Sequence, residues 1–254
     1  MDFVHVKVEN YIAYITIDRK PANALNRQAY SELGDAFRKI CDMTDTVRVV
    51  ILTGEGKFFV AGNDVNEFNG TSKSEMTVQS GYFGDCLNAI YNCPVPVIGA
   101  INGAAVGAGF CIASVCDLLV ASTKAKFGTP EIKVGVVGGL SFLPAMVPSK
   151  VGKYMSLTGE LMTAEAPEKY GAFYAVVHPE ELMDTAVKLA QKILQGPPLA
   201  LQAWKKSYNL IENLCWLEKE GITDMYCQDL ISTEDSQEAV KAFLEKRAPV
   251  YRGR

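Results

Sequence analysis

The sequence predicts an α/β fold in which strands and helices mix in the first half and helices dominate the last third. Strand patterns occur at Val4–Val8, Val47–Thr53 and Val97–Ile101, as period-two alternation or as continuous apolar runs. From Gly135 onward, apolar residues recur instead at the three- and four-residue spacing of helices. A chain of 254 residues can form one sizeable core with a helical appendix, which we place at residues 1–195 and 196–254.

The first predicted elements are a β-hairpin, a loop and a helix. Asn10 turns the chain between the strand at Val4–Val8 and a second strand at Tyr11–Asp18. The loop Arg19–Asn26 follows. Apolar residues then recur at helical spacing as far as Ile40, so Asn26 is expected to be the helix N-cap.

A stretch without charged residues runs from Cys86 to Cys116 and is long enough to span a membrane. It contains three asparagines, two prolines and a cluster of glycines. These turn signals favour a buried strand at Val97–Ile101 and a buried helix at about Gly107–Val115, followed by a strand at Leu118–Ala121. No membrane association is therefore expected.

The last third is predicted to be helical. Ser232 or Thr233 can cap a final helix that ends near Arg247. Trp204, Tyr208 and Trp216 fall at roughly helical spacing, which indicates core or subunit interface rather than ligand contacts. Four earlier segments carry the same helical spacing: Pro144–Thr158, Thr163–Gly171, Glu181–Leu194 and Pro198–Asn213.

Composition argues against several functional classes. A net charge of −4 disfavours non-specific nucleic-acid binding. The seven cysteines form no CxxC pair, and two histidines provide no zinc-ligand spacing, so no metal site is expected. Several cysteines lie in apolar runs, and the N-terminus lacks the features of a signal peptide, which together indicate a cytoplasmic protein with reduced thiols. No GxSxG elbow or phosphate-binding P-loop is present.

Several motifs in a fixed order resemble the crotonase (enoyl-CoA hydratase/isomerase) superfamily. The resemblance covers nearly the whole chain, and the closing segment Glu245–Arg254 is similar to the carnitinyl-CoA dehydratase branch of that family. The motifs are Asn23-Ala24-Leu25, Ala61-Gly62-Asn63-Asp64-Val65, Asn102-Gly103-x3-Gly107-x-Gly109-x5-Val115-Cys116-Asp117 and Phe127-Gly128-Thr129-Pro130-Glu131-x3-Gly135.

The resemblance implies a spiral of ββα units with a helical C-terminal trimerisation region, assembled as a homotrimer or homohexamer. It implies an acyl-CoA thioester substrate and no cofactor beyond the coenzyme A of that substrate. Two backbone N–H groups, at Ala61 and Ala108, would hold the thioester oxygen, and Glu131 would be the acid/base. The positions expected to contact substrate or CoA are Lys20, Ala22, Ala24, Gly62, Asn63, Asp64, Val65, Gly107 and Cys111.

Asp64 and Ala108 have further structural interpretations. The Asp64 side chain suits a cap of the following turn better than a catalytic role. Ala108 stands where the family usually has glycine, and it keeps the main-chain N–H. The segment Gly135–Gly139 is shorter than the family pattern by about three residues. In the family this loop lines the acyl pocket, so the identity of the acyl group is left open.

Cys111 is the departure that bears most on function. It stands where hydratases of this family carry the earlier of two glutamates, and its apolar neighbours indicate a buried small residue rather than a reactive thiol. With Glu131 as the one remaining carboxylate, we expect double-bond isomerisation, in which a single base can move a proton between two carbons. The alternatives are an enoyl-CoA hydratase or dehydratase, an acyl-CoA hydrolase, and a non-catalytic acyl-CoA-binding protein.

Overall fold

The computed structural model describes residues 1–67, 73–134, 138–212 and 233–254. Within these ranges the strands form two sheets. The larger sheet has the order β1-β2-β3-β5-β7-β10 and consists of β1 (Val4–Glu9), β2 (Ile12–Ile17), β3 (Val49–Gly54), β5 (Val97–Ile101), β7 (Leu118–Ser122) and β10 (Ala175–Val177). The smaller sheet has the order β4-β6-β8-β9 and consists of β4 (Phe58–Val60), β6 (Ala104–Val106), β8 (Lys126–Gly128) and β9 (Met162–Thr163).

The described helices are distributed along the whole chain. The α-helices are α1 (Arg27–Cys41), α2 (Lys73–Tyr91), α3 (Ala108–Ser114), α4 (Ser149–Thr158), α5 (Glu165–Glu168), α6 (Leu182–Ile193), α7 (Pro198–Ile211) and α8 (Glu234–Glu245). Short 3-10 helices occur at Val65–Glu67, Pro130–Val134, Leu140–Ala145 and Pro179–Glu181. Among these helices, none combines the length and apolar character that a bilayer crossing requires.

From β3 to β8, successive strands alternate between the two sheets. β1 and β2 form an antiparallel hairpin, and the remaining neighbours of the larger sheet are parallel. Three consecutive strand pairs, β3–β4, β5–β6 and β7–β8, each place the first strand in the larger sheet and the second in the smaller one. Each pair is followed by helical structure, so the chain winds as a repeated ββα unit.

Glycine is required where the chain passes from one sheet to the other. A Cβ atom on Gly54, at the end of β3, would lie 2.2 Å from the carbonyl oxygen of Phe58. A Cβ on Gly103, between β5 and β6, would lie 1.9 Å from the carbonyl oxygen of Lys57. These contacts are with backbone atoms and cannot be relieved by a rotamer change, so only glycine permits the approach of the two crossings.

Apolar side chains pack on both faces of the larger sheet. One face forms the main core with α1, α2 and α3, and includes Leu33, Phe37 and Phe110. The opposite face is covered by α6, whose Leu182 and other apolar residues pack on β3, β5 and β7. Strands buried on two faces explain the continuous apolar runs of β3 and β5.

Most predicted elements are present, and two predictions are wrong. The hairpin is confirmed, and Asn26 caps α1 by accepting a hydrogen bond from Ala29 N at 2.9 Å. The helix predicted at Thr163–Gly171 is only the four-residue α5, because residues Met162–Thr163 pair with β8 instead. The helix predicted at Pro144–Thr158 is split into a 3-10 helix and α4, since Pro148 cannot continue a helical hydrogen-bond ladder.

The C-terminal region contains α7 and α8 in its described part. Thr233 caps α8 by accepting a hydrogen bond from Ser236 N at 3.2 Å. Trp204 and Tyr208 stack on each other with ring centroids 5.0 Å apart and are exposed on α7, so they do not belong to the core of this chain. Trp216 lies outside the described residues, and the domain boundary after residue 195 stays a prediction.

A buried ion pair attaches α7 to the larger sheet. Lys205 Nζ donates to Asp117 Oδ2 at 2.7 Å and to Val95 O at 3.2 Å, and the Lys205 side chain is 3% exposed. Val97 N donates to the same carboxylate oxygen at 2.7 Å. Burial raises the pKa of Asp117, and the ammonium group of Lys205 opposes that rise. Removing one partner would leave an uncompensated buried charge.

The variant Lys205→Met is therefore expected to lower the free energy of unfolding by about 3–5 kcal/mol. Lys188→Met on α6 is the matched control, because Lys188 is exposed and its loss should change stability by no more than about 0.5 kcal/mol. Urea denaturation followed by circular dichroism measures both. Equal stability of the two variants would show that the ion pair does not hold α7.

Candidate active site

Glu131 carries a carboxylate with one unpaired oxygen at the end of the smaller sheet. It follows β8 through Thr129 and lies in the 3-10 helix Pro130–Val134. The residue is half-buried, and its Oε2 atom is buried with no hydrogen-bond partner among the described residues. Burial raises the pKa of Glu131 above its ordinary value of 4.5. A carboxylate with these properties is suited to accept and return a proton.

Two glycines form the wall against which this carboxylate lies. A Cβ on Gly138 would lie 2.9 Å from Glu131 Oε1, and a Cβ on Gly107 would lie 3.0 Å from the same atom. Gly107 also has a positive φ of 56°. Any side chain at either position would displace the carboxylate, so the glycines determine where Glu131 can stand.

Ala108 offers a free main-chain donor close to this carboxylate. It is the first residue of α3 and is buried, and the preceding Gly107 N donates to Gly128 O at 2.8 Å. The first N–H groups of a helix have no acceptor inside the helix. No other acceptor for Ala108 N lies within the described part of the chain. The N–H predicted at Ala108 is therefore available to a ligand.

The oxyanion role predicted for Ala61 conflicts with the structure. Ala61 N–H already donates to the carbonyl oxygen of Ala22 at 3.2 Å, so it cannot also serve a ligand without breaking that bond. The physical reason is the pairing of the 61–64 segment with the loop before α1. In a regular extended segment the N–H groups of Ala61 and Asn63 would point the same way. Gly62 between them has a φ of 120°, so the Ala61 N–H meets the loop while the Asn63 N–H does not.

The same pairing leaves the N–H of Asn63 free. Leu25 N donates to Gly62 O, and Asp64 N donates to Leu25 O, both at 2.9 Å, which makes a parallel bridge between Leu25 and Asn63. In such a bridge Asn63's own N–H points away from Leu25. The Asn63 N–H points toward the side on which β4 pairs with β6. Gly107, which follows β6, lies on this side, because a Cβ on Gly107 would be 3.8 Å from Gly62 Cα. No acceptor for Asn63 N is found among the described residues.

Asp64 is a structural carboxylate, as its expected capping role requires. Its Oδ1 accepts from Asn66 N at 3.0 Å, and its Oδ2 accepts from Arg19 Nη2 at 2.6 Å. Burial acts to raise the pKa of Asp64, but the bonds from Arg19 and Asn66 hold it below its ordinary value. The capping prediction is confirmed. A carboxylate that is paired and stays ionised is a poor general acid.

The loop that carries Lys20, Ala22 and Ala24 lies directly beside the 61–64 segment. Asn23, which is buried with a positive φ of 56°, donates through Nδ2 to Phe58 O at 2.8 Å and to Glu55 O at 3.1 Å. Arg19 Nη1 donates to Ala24 O at 2.6 Å. Lys20 is exposed at the rim of this loop. The loop is thus held against the 61–64 segment, and the contact of these three positions with CoA stays a prediction.

Cys111 lies on α3 as a buried, neutral thiol. Burial, together with the charge of Glu131, raises the pKa of Cys111 to about 12. Gly139 is also close, because a Cβ at that position would be 3.5 Å from Cys111 Sγ. The expectation of a buried small residue is confirmed. Among the described residues no three His, Cys, Asp or Glu side chains are grouped closely enough to hold a metal ion.

Val65 and Tyr30 lie beside the residues described above. Val65 begins the 3-10 helix Val65–Glu67. Gly135 and the two residues after it lie outside the described ranges, so the short loop is described only from Gly138. The hydroxyl of Tyr30 donates to Asn63 Oδ1, a contact that sequence reasoning missed because helical periodicity marks Tyr30 only as a core position.

The chain matches known proteins over almost its full length. A family model described as enoyl-CoA hydratase/isomerase matches residues 7–254. The carnitinyl-CoA dehydratase of Salmonella enteritidis is 36% identical, with 99% of this chain and 98% of that protein covered. The (E)-benzylidenesuccinyl-CoA hydratase of Thauera aromatica is also 36% identical, with 98% of this chain and 99% of that protein covered.

Solved structures show the same architecture. An enoyl-CoA hydratase from Bacillus anthracis has a TM-score of 0.94 at 28% identity, with 99% of each chain covered. An enoyl-CoA hydratase subunit from Geobacillus kaustophilus has a TM-score of 0.92 at 33% identity, with 99% of this chain and 98% of that chain covered. The fold is thus the crotonase fold that the motifs predicted.

The fold and the site define an enzyme of the crotonase superfamily. Within it, the chain belongs to the enoyl-CoA hydratase/isomerase family. The sequence favoured isomerisation because Cys111 replaces a glutamate, whereas these relatives are named as a dehydratase and hydratases. Their names support the alternative, hydration or dehydration, better than the isomerase preference.

The variant Gly138→Ala tests the wall behind Glu131. Its Cβ would stand 2.9–3.0 Å from Glu131 Oε1, Cδ and Cγ, which are atoms of a flexible side chain that can move aside. We expect the fold to persist, with a change in thermal midpoint of less than about 4 °C, while kcat falls by at least about tenfold because a small displacement of a catalytic group is costly. Circular dichroism and thioester turnover measure the two effects. Unchanged kcat would contradict the assignment.

Proposed function

We propose that this enzyme adds water to a 2-enoyl-CoA, or removes it from a 3-hydroxyacyl-CoA, with Glu131 as its single acid/base. The observation that carries the proposal is the half-buried, unpaired carboxylate of Glu131 beside the free N–H groups of Asn63 and Ala108. The relatives named as a dehydratase and a hydratase act on CoA thioesters, which supports the same reaction class.

Asn63 N–H and Ala108 N–H are assigned to the thioester carbonyl oxygen. Attack at C3 of an enoyl thioester moves negative charge onto that oxygen, where the two donors are already oriented. One such donor typically contributes about 10²–10³ in rate. The donors are part of the backbone, so alanine and asparagine can hold these positions without loss of the function.

Glu131 performs the proton transfers. In hydration the carboxylate takes a proton from water while the water oxygen bonds to C3, and the C2–C3 double-bond electrons pass to the thioester as an enolate. The protonated Glu131 then returns that proton to C2, and the enolate collapses to the 3-hydroxyacyl thioester. Atoms balance with one water added, and the carboxyl group ends as it began. The raised pKa of Glu131 favours the first step, because a carboxylate of higher pKa takes a proton from water more readily.

Cys111 leaves isomerisation as the second candidate. The neutral thiol cannot hold or activate water as a carboxylate does, and one carboxylate is sufficient to move a proton between C4 and C2. Hydrolysis of the thioester and binding without turnover are the remaining alternatives. All of these place the thioester oxygen at the same two N–H groups; the reactions differ in their product, and binding without turnover gives none.

The proposal also covers the binding of CoA and the oligomeric state. We assign the nucleotide part of CoA to the loop that carries Lys20, Ala22 and Ala24, with no separate cofactor. A homotrimer or homohexamer in the cytoplasm is proposed for the assembled enzyme. Tyr154 and Leu157 of α4, together with Leu161, are exposed and supply an apolar surface that a second copy can cover.

Glu131→Gln is expected to lower kcat by about 10²–10⁴ because the variant cannot accept a proton. The control is Glu180→Gln, an exposed carboxylate that should leave kcat at the wild-type value. Mass spectrometry of CoA thioesters after incubation gives the product directly. Gain of one water by a 2-enoyl-CoA supports the proposal. Conversion of a 3-enoyl to a 2-enoyl thioester without mass change would instead establish isomerisation, and free CoA would establish hydrolysis.

The pH dependence of hydration should report Glu131. The base must be ionised, so kcat/KM falls as pH decreases through a pKa that lies above 4.5. The folded state raises this pKa and so penalises the ionised form. That group's contribution to stability is greatest at low pH and is lost as pH rises through the raised pKa.

Two measurements test this assignment. The acid limb of the kcat/KM profile should lie above pH 4.5 in the wild type and be absent from the residual activity of Glu131→Gln. Calorimetry at neutral pH should show that Glu131→Gln unfolds at a temperature no lower than the wild type. An acid limb at or below 4.5, or a marked loss of stability in Glu131→Gln, would contradict the assignment.

A further inference from the structure

We propose that the Asn63 side chain, held by Tyr30, selects acyl groups that carry an oxygen atom on their first carbons. The Asn63 amide would donate a hydrogen bond to a hydroxyl, keto or carboxylate oxygen of the acyl chain. This inference rests on the proposed function, because that function places the thioester at Asn63. It adds a substrate class to the reaction.

The orientation of the Asn63 amide is determined by one buried contact. Tyr30 is 1% exposed, and its hydroxyl donates to Asn63 Oδ1. Because the amide oxygen is occupied, the NH2 group of the same amide is the part that remains for a ligand. No acceptor for Asn63 Nδ2 is found within the described residues. Asn63 is thus a fixed donor without a partner.

The position of this donor follows from the backbone. The N–H of Asn63 is one of the two groups assigned to the thioester oxygen, and its side chain starts from the same residue. A short side chain at this place can reach only the carbons next to the thioester. The oxygen that it recognises therefore belongs on the first few acyl carbons rather than on a distant tail.

The surroundings of Tyr30 make such a donor selective. The Tyr30 ring meets Phe83 of α2 edge-on at 5.9 Å, and Phe83 meets Phe142 in the same way at 6.3 Å. Three aromatic rings from three different elements thus form an apolar wall. This packing holds the Tyr30 hydroxyl against Asn63 Oδ1 and so fixes the amide. A substrate that covers the amide NH2 group without offering an acceptor leaves that donor unpaired, which is the basis of the selection.

The amide of Gln79, one helical turn before Phe83 on α2, is a second donor without a partner in the described structure. Gln79 is 5% exposed; its Oε1 accepts from Arg27 Nε at 3.1 Å, while its Nε2 is buried with no partner among the described residues. Gln79 precedes Phe83 by four residues on α2, and Arg27 precedes Tyr30 by three on α1. Gln79 is therefore a second amide donor without a protein acceptor in the described structure, on the α1–α2 interface that also holds Tyr30.

The test compares two substrates that differ by one hydroxyl group. Crotonyl-CoA and 4-hydroxycrotonyl-CoA are incubated with wild type, Asn63→Ala, Tyr30→Phe and the control Tyr11→Phe. Tyr11 is exposed in the β1–β2 turn, so its variant removes a phenol hydroxyl elsewhere. The measured quantity is the ratio of kcat/KM for the hydroxylated substrate to that for crotonyl-CoA. The ratio cancels any general loss of activity or of folded protein.

We expect the wild type to prefer the hydroxylated substrate by about tenfold or more. The ratio should fall about tenfold in Asn63→Ala and about fivefold in Tyr30→Phe, and stay at the wild-type value in Tyr11→Phe. No preference in the wild type, or a preference that survives both variants, overturns the inference while the proposed function stands.

Failure of the proposed function is separately visible. If neither thioester gains water, isomerises or releases CoA, the proposed chemistry is wrong. Calorimetric titration with butyryl-CoA and 4-hydroxybutyryl-CoA then tests the selection directly, since both are saturated and need no turnover. A ratio of dissociation constants that Asn63→Ala abolishes supports the inference, and equal affinities for the two thioesters overturn it.

Discussion

The bridge between Leu25 and Asn63 determines which backbone groups this protein can offer to a ligand. Leu25 N–H donates to Gly62 O, and Leu25 O accepts from Asp64 N–H. The N–H of Asn63, between these two residues, therefore points to the opposite edge. The same pairing directs the N–H of Ala61 to Ala22. A shift of this bridge by one residue, from Asn63 to Gly62, would turn the Asn63 N–H toward Leu25 and remove the donor from the site. The loop before α1 thus positions the 61–64 segment through backbone hydrogen bonds and through the ion pair of Arg19 with Asp64.

The environment of the Glu131 side chain lowers the stability of the folded state, as is common for functional groups. Its buried oxygen has no partner in the described structure, and burial penalises its charged form. Cys111 shares this apolar space, and the Glu131 charge adds to the effect of burial in keeping the thiol protonated. One ionisable group is therefore available where two-carboxylate hydratases use a pair. Under the proposed function, the buried oxygen without a partner destabilises the fold and leaves a proton carrier beside the two proposed donors.

The sequence predicted the parts of this fold that depend on local pattern. The hairpin, the Asn26 cap and the strand at Val97–Ile101 follow from alternation, capping chemistry and turn residues, and each is confirmed. The motif Gly128–Glu131 likewise identified the carboxylate. The failed helix at Thr163–Gly171 shows the limit of periodicity, because strand pairing with β8 overrode the helical spacing.

The error at Ala61 has a different origin. A motif locates a segment, but which of its N–H groups is free depends on pairing with a loop far away in the chain. Tyr30 was missed for the same reason, since its ring belongs to the core pattern of α1 while its hydroxyl belongs to the site. Functional contacts of this kind depend on long-range register, and a single sequence does not contain that information in local form.

Asn63 is assigned two roles, one for its backbone and one for its side chain. Its backbone is assigned to the charge that develops on the thioester, and its side chain to the acyl group that the enzyme accepts. These tasks are separable, because every substitution except proline keeps the N–H while changing the amide. The hydrogen bond from the buried Tyr30 keeps the side chain in one orientation. A substitution at position 63 would therefore change the proposed acyl selection and keep the proposed oxyanion donor, provided that the bridge to Leu25 persists.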